Sequence, residues 1–223
     1  YRNGTTYTTV MTGYTSIYNL FSTPVYAKVL NIDTKKIVSQ LQKYDFHNAG
    51  FDDFPGVKEI AAASKRVDVL NDKKFKDLKK VLMNEFYLFT KEHMRYTNQF
   101  KITTSWFTKA LKGQSSNFHN HNNSMYSAVL YLQTDENSGA ISFNKHENKR
   151  FDLEVQDCNI LNSPEWKITP VNGLFLIFPS EIYHKVQENK SDIVRHSLAL
   201  NFLPTGLLGH TSADSRAKIN VEK

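Results

Sequence analysis

The sequence predicts a mainly β protein with some α-helix, folded as a double-sheet jelly roll with N-terminal helices packed on one face. Two observations support this prediction. Amphipathic helical periodicity is confined to the first 98 residues, and its strongest stretch runs from about Asp72 to Arg95. After Asn98 the pattern changes to short extended runs separated by turn signals. Helices followed by about eight short strands are typical of this architecture.

We expect one domain with three parts: an N-terminal arm and helical support over 1–98, a β core over 99–204 and a loose tail over 205–223. In the first part, a strand is predicted within Leu20–Leu30, a short helix after Asp33 or Thr34, and another helix over Val57–Arg66. The strands predicted for the core are Phe100–Lys109, Ser124–Gln133, Ala140–Asn144, Phe151–Val155, Trp166–Pro170, Leu174–Phe178 and Val194–Leu203.

Composition narrows the class of protein. The chain has 223 residues, 40% of them hydrophobic, which is enough to bury a core. Cys158 is the only cysteine, which excludes an internal disulfide and a thiolate zinc cluster and favours a reducing compartment. There is no apolar run of about 18 residues, so no membrane span is predicted and a cytoplasmic location is expected.

The net charge of +6 is compatible with an anionic metabolite, an acidic partner or nucleic acid. Much of this charge lies in Lys73–Lys80, which we interpret as a solvated helix face. A nucleic-acid surface is the less favoured interpretation, because no stacking aromatic side chains alternate with these lysines on one face.

Two histidines mark the candidate site. His119 and His121 lie two residues apart just before an alternating run, so their side chains point to the same side of an extended chain. Imidazole is a suitable ligand for iron, zinc and copper. A His-x-His pair alone is more often structural, but His184, which follows the strand Leu174–Phe178, offers a third imidazole.

Arg195 comes eleven residues after His184 and provides a two-pronged donor that matches a carboxylate. Ser197 lies on the same strand face and adds a hydroxyl donor. Three protein ligands on one side of an octahedral ion leave positions for a bidentate α-keto acid and for dioxygen. The pattern therefore predicts a mononuclear iron site that uses 2-oxoglutarate.

The same residues resemble the 2-oxoglutarate/Fe(II)-dependent oxygenases found widely in bacteria and in phages of marine cyanobacteria. The matching pieces are Ser105-Trp106, His119-Asn120-His121, Ser124, Ser127–Tyr131, Gly173–Ser180, Tyr183-His184, Arg195 and Asn201. The resemblance covers Ser105 to Leu203, and Phe21–Val25 is a weaker match to the start of the family.

This resemblance implies a double-stranded β-helix, a cupin-like form of the jelly roll. It also implies oxidative decarboxylation of 2-oxoglutarate to succinate and carbon dioxide, with hydroxylation of a second, peptidyl or small-molecule substrate in the cytoplasm of a bacterial or phage-infected cell. The residues implied are His119 and His184 as Fe(II) ligands, Arg195 and Ser197 at the distal carboxylate, and Tyr131 and Asn117 as hydrogen-bonding groups for the co-substrate.

One departure leaves a choice open. The wider superfamily usually has a carboxylate two residues after the first histidine, and here that position is His121. His121 is either a third ligand or a neighbour of the ligands, with a carboxylate from elsewhere or a water completing the set. Trp106 and Trp166 are predicted to lie in the core, and His196 to be a hydrogen-bonded packing residue.

Two other classes of protein remain as alternatives. One is a tri-histidine metal cupin that does not use 2-oxoglutarate, which has no need for a buried arginine facing the metal. The other is a non-catalytic jelly-roll binding or structural protein.

Overall fold

The computed structural model describes residues 20–48, 60–145, 153–209 and 216–221, together with positions 13, 15, 17, 18, 151 and 214. The helices in these residues are α1 (Thr34–Val38) and α2 (Lys76–Tyr87). The strands are β1 (Tyr26–Val29), β2 (Phe46–Asn48), β3 (Ala62–Ser64), β4 (Gln99–Ala110), β5 (Tyr126–Gln133), β6 (Ile141–Asn144), β7 (Glu165–Ile168), β8 (Leu174–Pro179), β9 (Tyr183–Val186), β10 (Arg195–Leu208) and β11 (Ala217–Ile219).

The strands form two sheets. The major sheet has the order β1-β8-β5-β10-β4-β3-β2, with β11 also paired to β10, and the minor sheet has the order β7-β6-β9. All pairings between these strands are antiparallel, and β10 lies between β4 and β5 at the centre of the major sheet. The predicted double-stranded β-helix with helices on one face is confirmed.

Period-two alternation gives the major sheet two different faces. On β5, Leu130 faces a large core shared with the helices, whereas Val129 faces a smaller core shared with the minor sheet. The helical core is densely aromatic, and the rings of Phe86 on α2 and Phe202 on β10 stack with centroids 3.8 Å apart. The opposite face of the sheet is thereby left to line the interior between the two sheets.

The helices predicted after Asp33 and over Asp72–Arg95 are present, but the second one is not α-helical throughout. The side chain of Asp33 accepts a hydrogen bond from the Lys36 N–H and caps α1 as predicted. The predicted helix over Asp72–Arg95 has a 3₁₀ turn at Lys73–Phe75 before α2 and a π-helical turn at Leu88–His93 after it.

The helix predicted over Val57–Arg66 is wrong for the described residues of that stretch. Ile60 makes a parallel bridge to Ser115, and Ala62–Ser64 is strand β3. The alanine-rich run favours a helix locally, but pairing with β4 satisfies its backbone groups instead.

The predictions for the strands and for the tail also need correction. No strand occupies Phe151 or 153–155, and β9 was not predicted. For the described residues of 205–223, the predicted loose tail is wrong as well, since β10 continues to Leu208 and Ala217–Ile219 pairs with it. The predicted strand within Leu20–Leu30 is confined to β1.

Most of the first 20 residues of the predicted N-terminal arm lie outside the described residues. Among the described helices, none is long and apolar enough to cross a membrane.

Candidate active site

The segment before β5 is held against β9 and the β8–β9 connection by main-chain hydrogen bonds. His119 and His184 form an isolated antiparallel bridge, in which the His119 N–H donates to the His184 carbonyl at 3.0 Å and the reverse bond is 2.8 Å. Two residues later, the His121 N–H donates to the Ser180 carbonyl at 2.9 Å. These bonds align the extended His-x-His segment with the strand that carries the third histidine.

The three imidazoles meet as the sequence predicts. One ring nitrogen of each of His119, His121 and His184 lies within 4.8 Å of the others. The ring centroids are 4.4 Å apart for His119 and His184, and 5.2 Å apart for His121 and His184. Because metal–nitrogen bonds are about 2 Å long, small side-chain rotations bring all three nitrogens onto one ion.

Two of the rings are oriented by their own backbone. The Nδ1 of His119 lies 2.8 Å from the Asn117 carbonyl, and the Nδ1 of His184 lies 2.9 Å from the Ile182 carbonyl. A carbonyl oxygen only accepts hydrogen bonds, so each Nδ1 carries the proton and each Nε2 presents a lone pair. A hydrogen bond from the ring nitrogen that does not bind the metal is the usual way in which a protein orients a metal-binding histidine.

The imidazoles of His121 and His184 are neutral near pH 7. Burial, with a contribution from neighbouring His119, lowers the pKa of His184 to about 3 and that of His121 to about 4. A histidine binds a metal ion in its neutral form, so these ligands need not lose a proton first. The donor set therefore fits a divalent transition-metal ion.

Arg195 lies on the inward face of β10, with only 4% of its surface exposed. Its Nη1 donates to the carbonyl of Ser138 and, at 2.9 Å, to the carbonyl of Gln187. Burial lowers the pKa of Arg195, but guanidinium is so basic that it stays charged. No carboxylate in the described part of the chain pairs with it.

Tyr131 and Ser197 surround the same point. They face each other across β5 and β10, and the Ser197 hydroxyl lies 2.5 Å from the Thr108 hydroxyl on β4. The Tyr131 hydroxyl is completely buried without a hydrogen-bond partner among the described residues, and burial raises its pKa above the usual range. Among the described residues, the buried guanidinium has no carboxylate partner and the buried Tyr131 hydroxyl has no acceptor, and a carboxylate ligand would satisfy both groups.

One cavity of about 470 Å³ joins the three imidazoles to Arg195 and Ser197. It is lined by the three histidines, Arg195 and Ser197 and, towards one wall, by Trp106 and Ile60–Ala63. Trp106 is half-buried, and its ring lies 5.8 Å from that of His121. The prediction that Trp106 is a core residue is therefore wrong, and so is that for Trp166, which is 55% exposed.

Asn117 also lines the cavity, but the contact described here is between its backbone carbonyl and His119. Its hydrogen bond to the co-substrate stays a prediction. His196, unlike Arg195, is not among the residues that line the cavity, which agrees with the expected alternation. The expectation that it is fully hydrogen-bonded is wrong for Nδ1, which has no partner within the described residues.

Sequence reasoning assigned no role to a group of short polar side chains behind His121. The Ser180 hydroxyl lies 2.9 Å from that of Ser124 and 2.8 Å from that of Ser127. Ser127 donates to the Asn201 side chain at 2.8 Å, and Asn201 donates to Thr104 at 3.1 Å. The detectable signal was the presence of serines and an asparagine at inward positions of otherwise apolar strands.

The match to a known family covers this site. Residues 104–201 match the family described as "Putative 2OG-Fe(II) oxygenase". The part of the chain that carries the three histidines and Arg195 is therefore similar to 2OG-Fe(II) oxygenases. The predicted enzyme class, a 2-oxoglutarate/Fe(II)-dependent oxygenase, and its two cofactors are confirmed. No curated protein matches the sequence.

Solved structures share the fold at low identity. A Pseudomonas putida prolyl-4-hydroxylase is 16% identical, with 83% of this chain and 95% of that chain covered and a TM-score of 0.56. HygX from Streptomyces hygroscopicus, with nickel, 2-oxoglutarate and hygromycin B bound, is 12% identical over 82% of this chain and 84% of that chain, with a TM-score of 0.56. A prolyl hydroxylase from Trichoplax adhaerens, in complex with a hypoxia inducible factor peptide fragment, is 16% identical over 80% and 82%, with a TM-score of 0.57.

Proposed function

We propose that this oxygenase couples the oxidative decarboxylation of 2-oxoglutarate to the hydroxylation of a second substrate. The observation that supports this proposal is Arg195, which is buried without a carboxylate partner in the described residues and lines the same cavity as the three imidazoles. A buried charge without a partner is strongly destabilising, so an anionic ligand at this point is favoured.

The reaction balances without any further reductant. One oxygen atom of dioxygen enters the new carboxylate of succinate, and the other enters the hydroxyl group of the product. Decarboxylation of the keto acid supplies two electrons and the C–H bond supplies two more, and carbon dioxide leaves. Bound Fe(II) would supply the redox chemistry with dioxygen.

Different residues of the chain would bind the metal and the co-substrate. His119, His121 and His184 would hold Fe(II), with His121 in the place where related enzymes usually have a carboxylate. Arg195 would bind the distal carboxylate of 2-oxoglutarate through the part of its guanidinium that makes no hydrogen bond to the described residues.

Two hydroxyls would complete the carboxylate site. Tyr131 would donate its free hydroxyl hydrogen to the same carboxylate, and the Ser197 hydroxyl lies on the same face of β10 as Arg195. Asn117 remains a candidate for a further hydrogen bond to the co-substrate, because it lines the cavity beside His119.

For the second substrate, we propose an uncharged group of a peptide or small molecule. The wall formed by Trp106 and Ile60–Ala63 carries no charge and includes three small alanine side chains. A dry, mostly apolar wall favours an apolar group over an ionised one. The titles of similar structures include both kinds of molecule: a peptide with the Trichoplax prolyl hydroxylase and hygromycin B with HygX. We place the reaction in the cytoplasm, because the single cysteine suits a reducing compartment.

The burial of Arg195 also bears on the main alternative. A tri-histidine metal cupin that does not use 2-oxoglutarate would have no use for an arginine buried against its metal cavity. Arg195 is 4% exposed and lines that cavity, which favours the 2-oxoglutarate enzyme.

The direct test is product formation. Protein prepared without oxygen is loaded with Fe(II), 2-oxoglutarate and dioxygen are added, and succinate and carbon dioxide are measured. Zn(II)-loaded protein is the matched control, because zinc accepts the same ligands but has no redox chemistry. We expect succinate and carbon dioxide in equal amounts from the Fe(II) protein only. Absence of both succinate and 2-oxoglutarate binding would overturn the proposal.

A further inference from the structure

Two turns converge on one nitrogen of Arg195. The carbonyl of Ser138 belongs to the turn between β5 and β6, and the carbonyl of Gln187 directly follows β9. Both accept hydrogen bonds from Nη1. Because guanidinium is planar and rigid, holding Nη1 at two points also sets the direction of its remaining N–H groups.

The carboxylate of Asp135 joins these two turns. Its Oδ1 accepts from the Ser138 hydroxyl at 2.9 Å and from the Asn137 N–H at 3.0 Å, both in the first turn. Its Oδ2 accepts from the Ser191 hydroxyl, in the turn that follows Gln187. Hydrogen bonds from Ser191 and Ser138 hold the pKa of Asp135 below its usual range, so the bridging group is anionic near pH 7.

The two turns are packed without spare room. A Cβ added to Gly139, which has φ +78°, would lie 2.5 Å from the Glu188 carbonyl oxygen. Lys190 N–H donates to the Asn137 carbonyl at 2.9 Å. Asn189 is fully buried and donates to the carbonyls of Ala110 and Ile193, both at 3.0 Å. The second turn is therefore held to β4 as well as to the first turn.

We propose that Asp135 is a positioning residue for 2-oxoglutarate, acting through Arg195. By linking the Ser138 turn to the Ser191 turn, it holds together the two carbonyls that orient the guanidinium towards the cavity. The inference rests on the proposed function, because it takes Arg195 as the anchor of the distal carboxylate. Asp135 itself contributes the geometry of the anchor and does not touch the co-substrate.

The experiment compares two keto acids on Ni(II)-loaded protein, which binds ligands without turnover. 2-Oxoglutarate has the distal carboxylate, and 2-oxobutyrate lacks it. Asp135→Asn keeps the size of the side chain but removes its charge and one acceptor oxygen. Asp192→Asn is the matched control: it changes the same charge in the neighbouring turn, but Asp192 is 90% exposed and its described partner is Lys112, at 2.7 Å.

We expect Asp135→Asn to weaken 2-oxoglutarate binding about tenfold, the usual order of effect for a group that orients a ligating residue. Binding of 2-oxobutyrate and of Ni(II) should be unchanged, and Asp192→Asn should behave as wild type. An equal loss of both keto acids, or no loss of 2-oxoglutarate, would overturn the inference. If Asp135→Asn does not fold, Ser191→Ala removes the other half of the same link and is judged by the same criteria.

Arg195→Ala separates this inference from the function on which it rests. If wild type and Arg195→Ala bind 2-oxoglutarate equally, the proposed anchor itself is wrong. If Arg195→Ala loses binding while Asp135→Asn and Ser191→Ala keep it, the anchor stands and the positioning role of Asp135 fails. In the Arg195→Ala background, the effect of Asp135→Asn on 2-oxoglutarate should disappear.

Discussion

His119 and His184 are hydrogen-bonded to each other through both main chains, and their imidazole rings lie 4.4 Å apart. The two residues are 65 positions apart in sequence. Their relative position is nevertheless fixed directly, because this pair of main-chain hydrogen bonds joins them. Because each ring also donates to the carbonyl two residues before it, the orientation of both Nε2 atoms is determined locally.

The first prediction concerns the metal. His119→Ala or His184→Ala should abolish tight binding of one Fe(II) or Ni(II) per chain, because each removes a ligand nitrogen from the cluster. Metal content after anaerobic loading and desalting measures this. His93→Ala is the control, since His93 is exposed at the end of the π-helical turn. Stoichiometric metal in His184→Ala would show that the ion binds elsewhere.

The second prediction concerns His121. His121→Ala should lose most of the metal, whereas His121→Asp should retain it by restoring a two-histidine, one-carboxylate set. Some loss in His121→Asp is expected, because the aspartate side chain is shorter than that of histidine. The same metal analysis applies. Full occupancy in His121→Ala would mean that His121 is a neighbour of the ion and not a ligand.

The third prediction concerns the anchor. Arg195→Ala should weaken 2-oxoglutarate binding by about 2–5 kcal/mol, because the ligand carboxylate loses its charged partner inside a buried site. Arg195→Lys should recover only part of this, since lysine cannot offer two parallel N–H groups. Calorimetry on Ni(II)-loaded protein gives both values. Equal affinity in Arg195→Lys and wild type would argue against bidentate binding.

The fourth prediction uses the separation of the two cores. Phe86→Ala should reduce the free energy of unfolding by about 3–5 kcal/mol, because it removes a fully buried ring stacked on Phe202. Native-state metal affinity should not change, since this core lies on the other side of the major sheet from the cavity. Denaturant unfolding checks the first statement, and Phe151→Ala, at a ring 79% exposed, is the control.

The fifth prediction concerns acid. Hydrogen bonds from Tyr44 and Arg66 hold the pKa of Asp72 below its usual range. A lowered carboxyl pKa contributes stability that is present above the ordinary value of about 4 and is lost as the pH falls through the folded-state pKa. Asp72→Asn should therefore lower the melting temperature at pH 7, and this difference should shrink below pH 4. A difference that is constant with pH would exclude the charge as its cause.

Much of the site could be predicted from the sequence because its groups lie on strands or on extended segments bridged to strands, where side chains two residues apart share a face. His119, His121, His184, Arg195 and Ser197 were brought together from residue type, spacing and period. What could not be read was contact between distant turns. The link from Asp135 to Ser191 joins residues 56 apart, and neither lies in a motif that points to the other.

The fold was predictable for a similar reason, and its errors have physical causes. Long alternating runs such as β4, β5 and β10 were placed within a few residues. Short elements depend on tertiary pairing, so Ala62–Ser64 became a strand against β4 despite its helical propensity. Trp106 was assigned to the core because indole is usually buried, and only the structure shows the cavity beside it.

Because the two faces of the major sheet contact different parts of the protein, substitutions on each face have a different use in protein engineering. Alternate residues of β5, β8 and β10 face either the helices or the cavity. Substitutions at helix-facing positions can raise the melting temperature while the cavity keeps its shape. Substitutions along Ile60–Ala63, a short segment outside the central strands, can instead retune which molecule is accepted, while the groups for iron and 2-oxoglutarate stay in place.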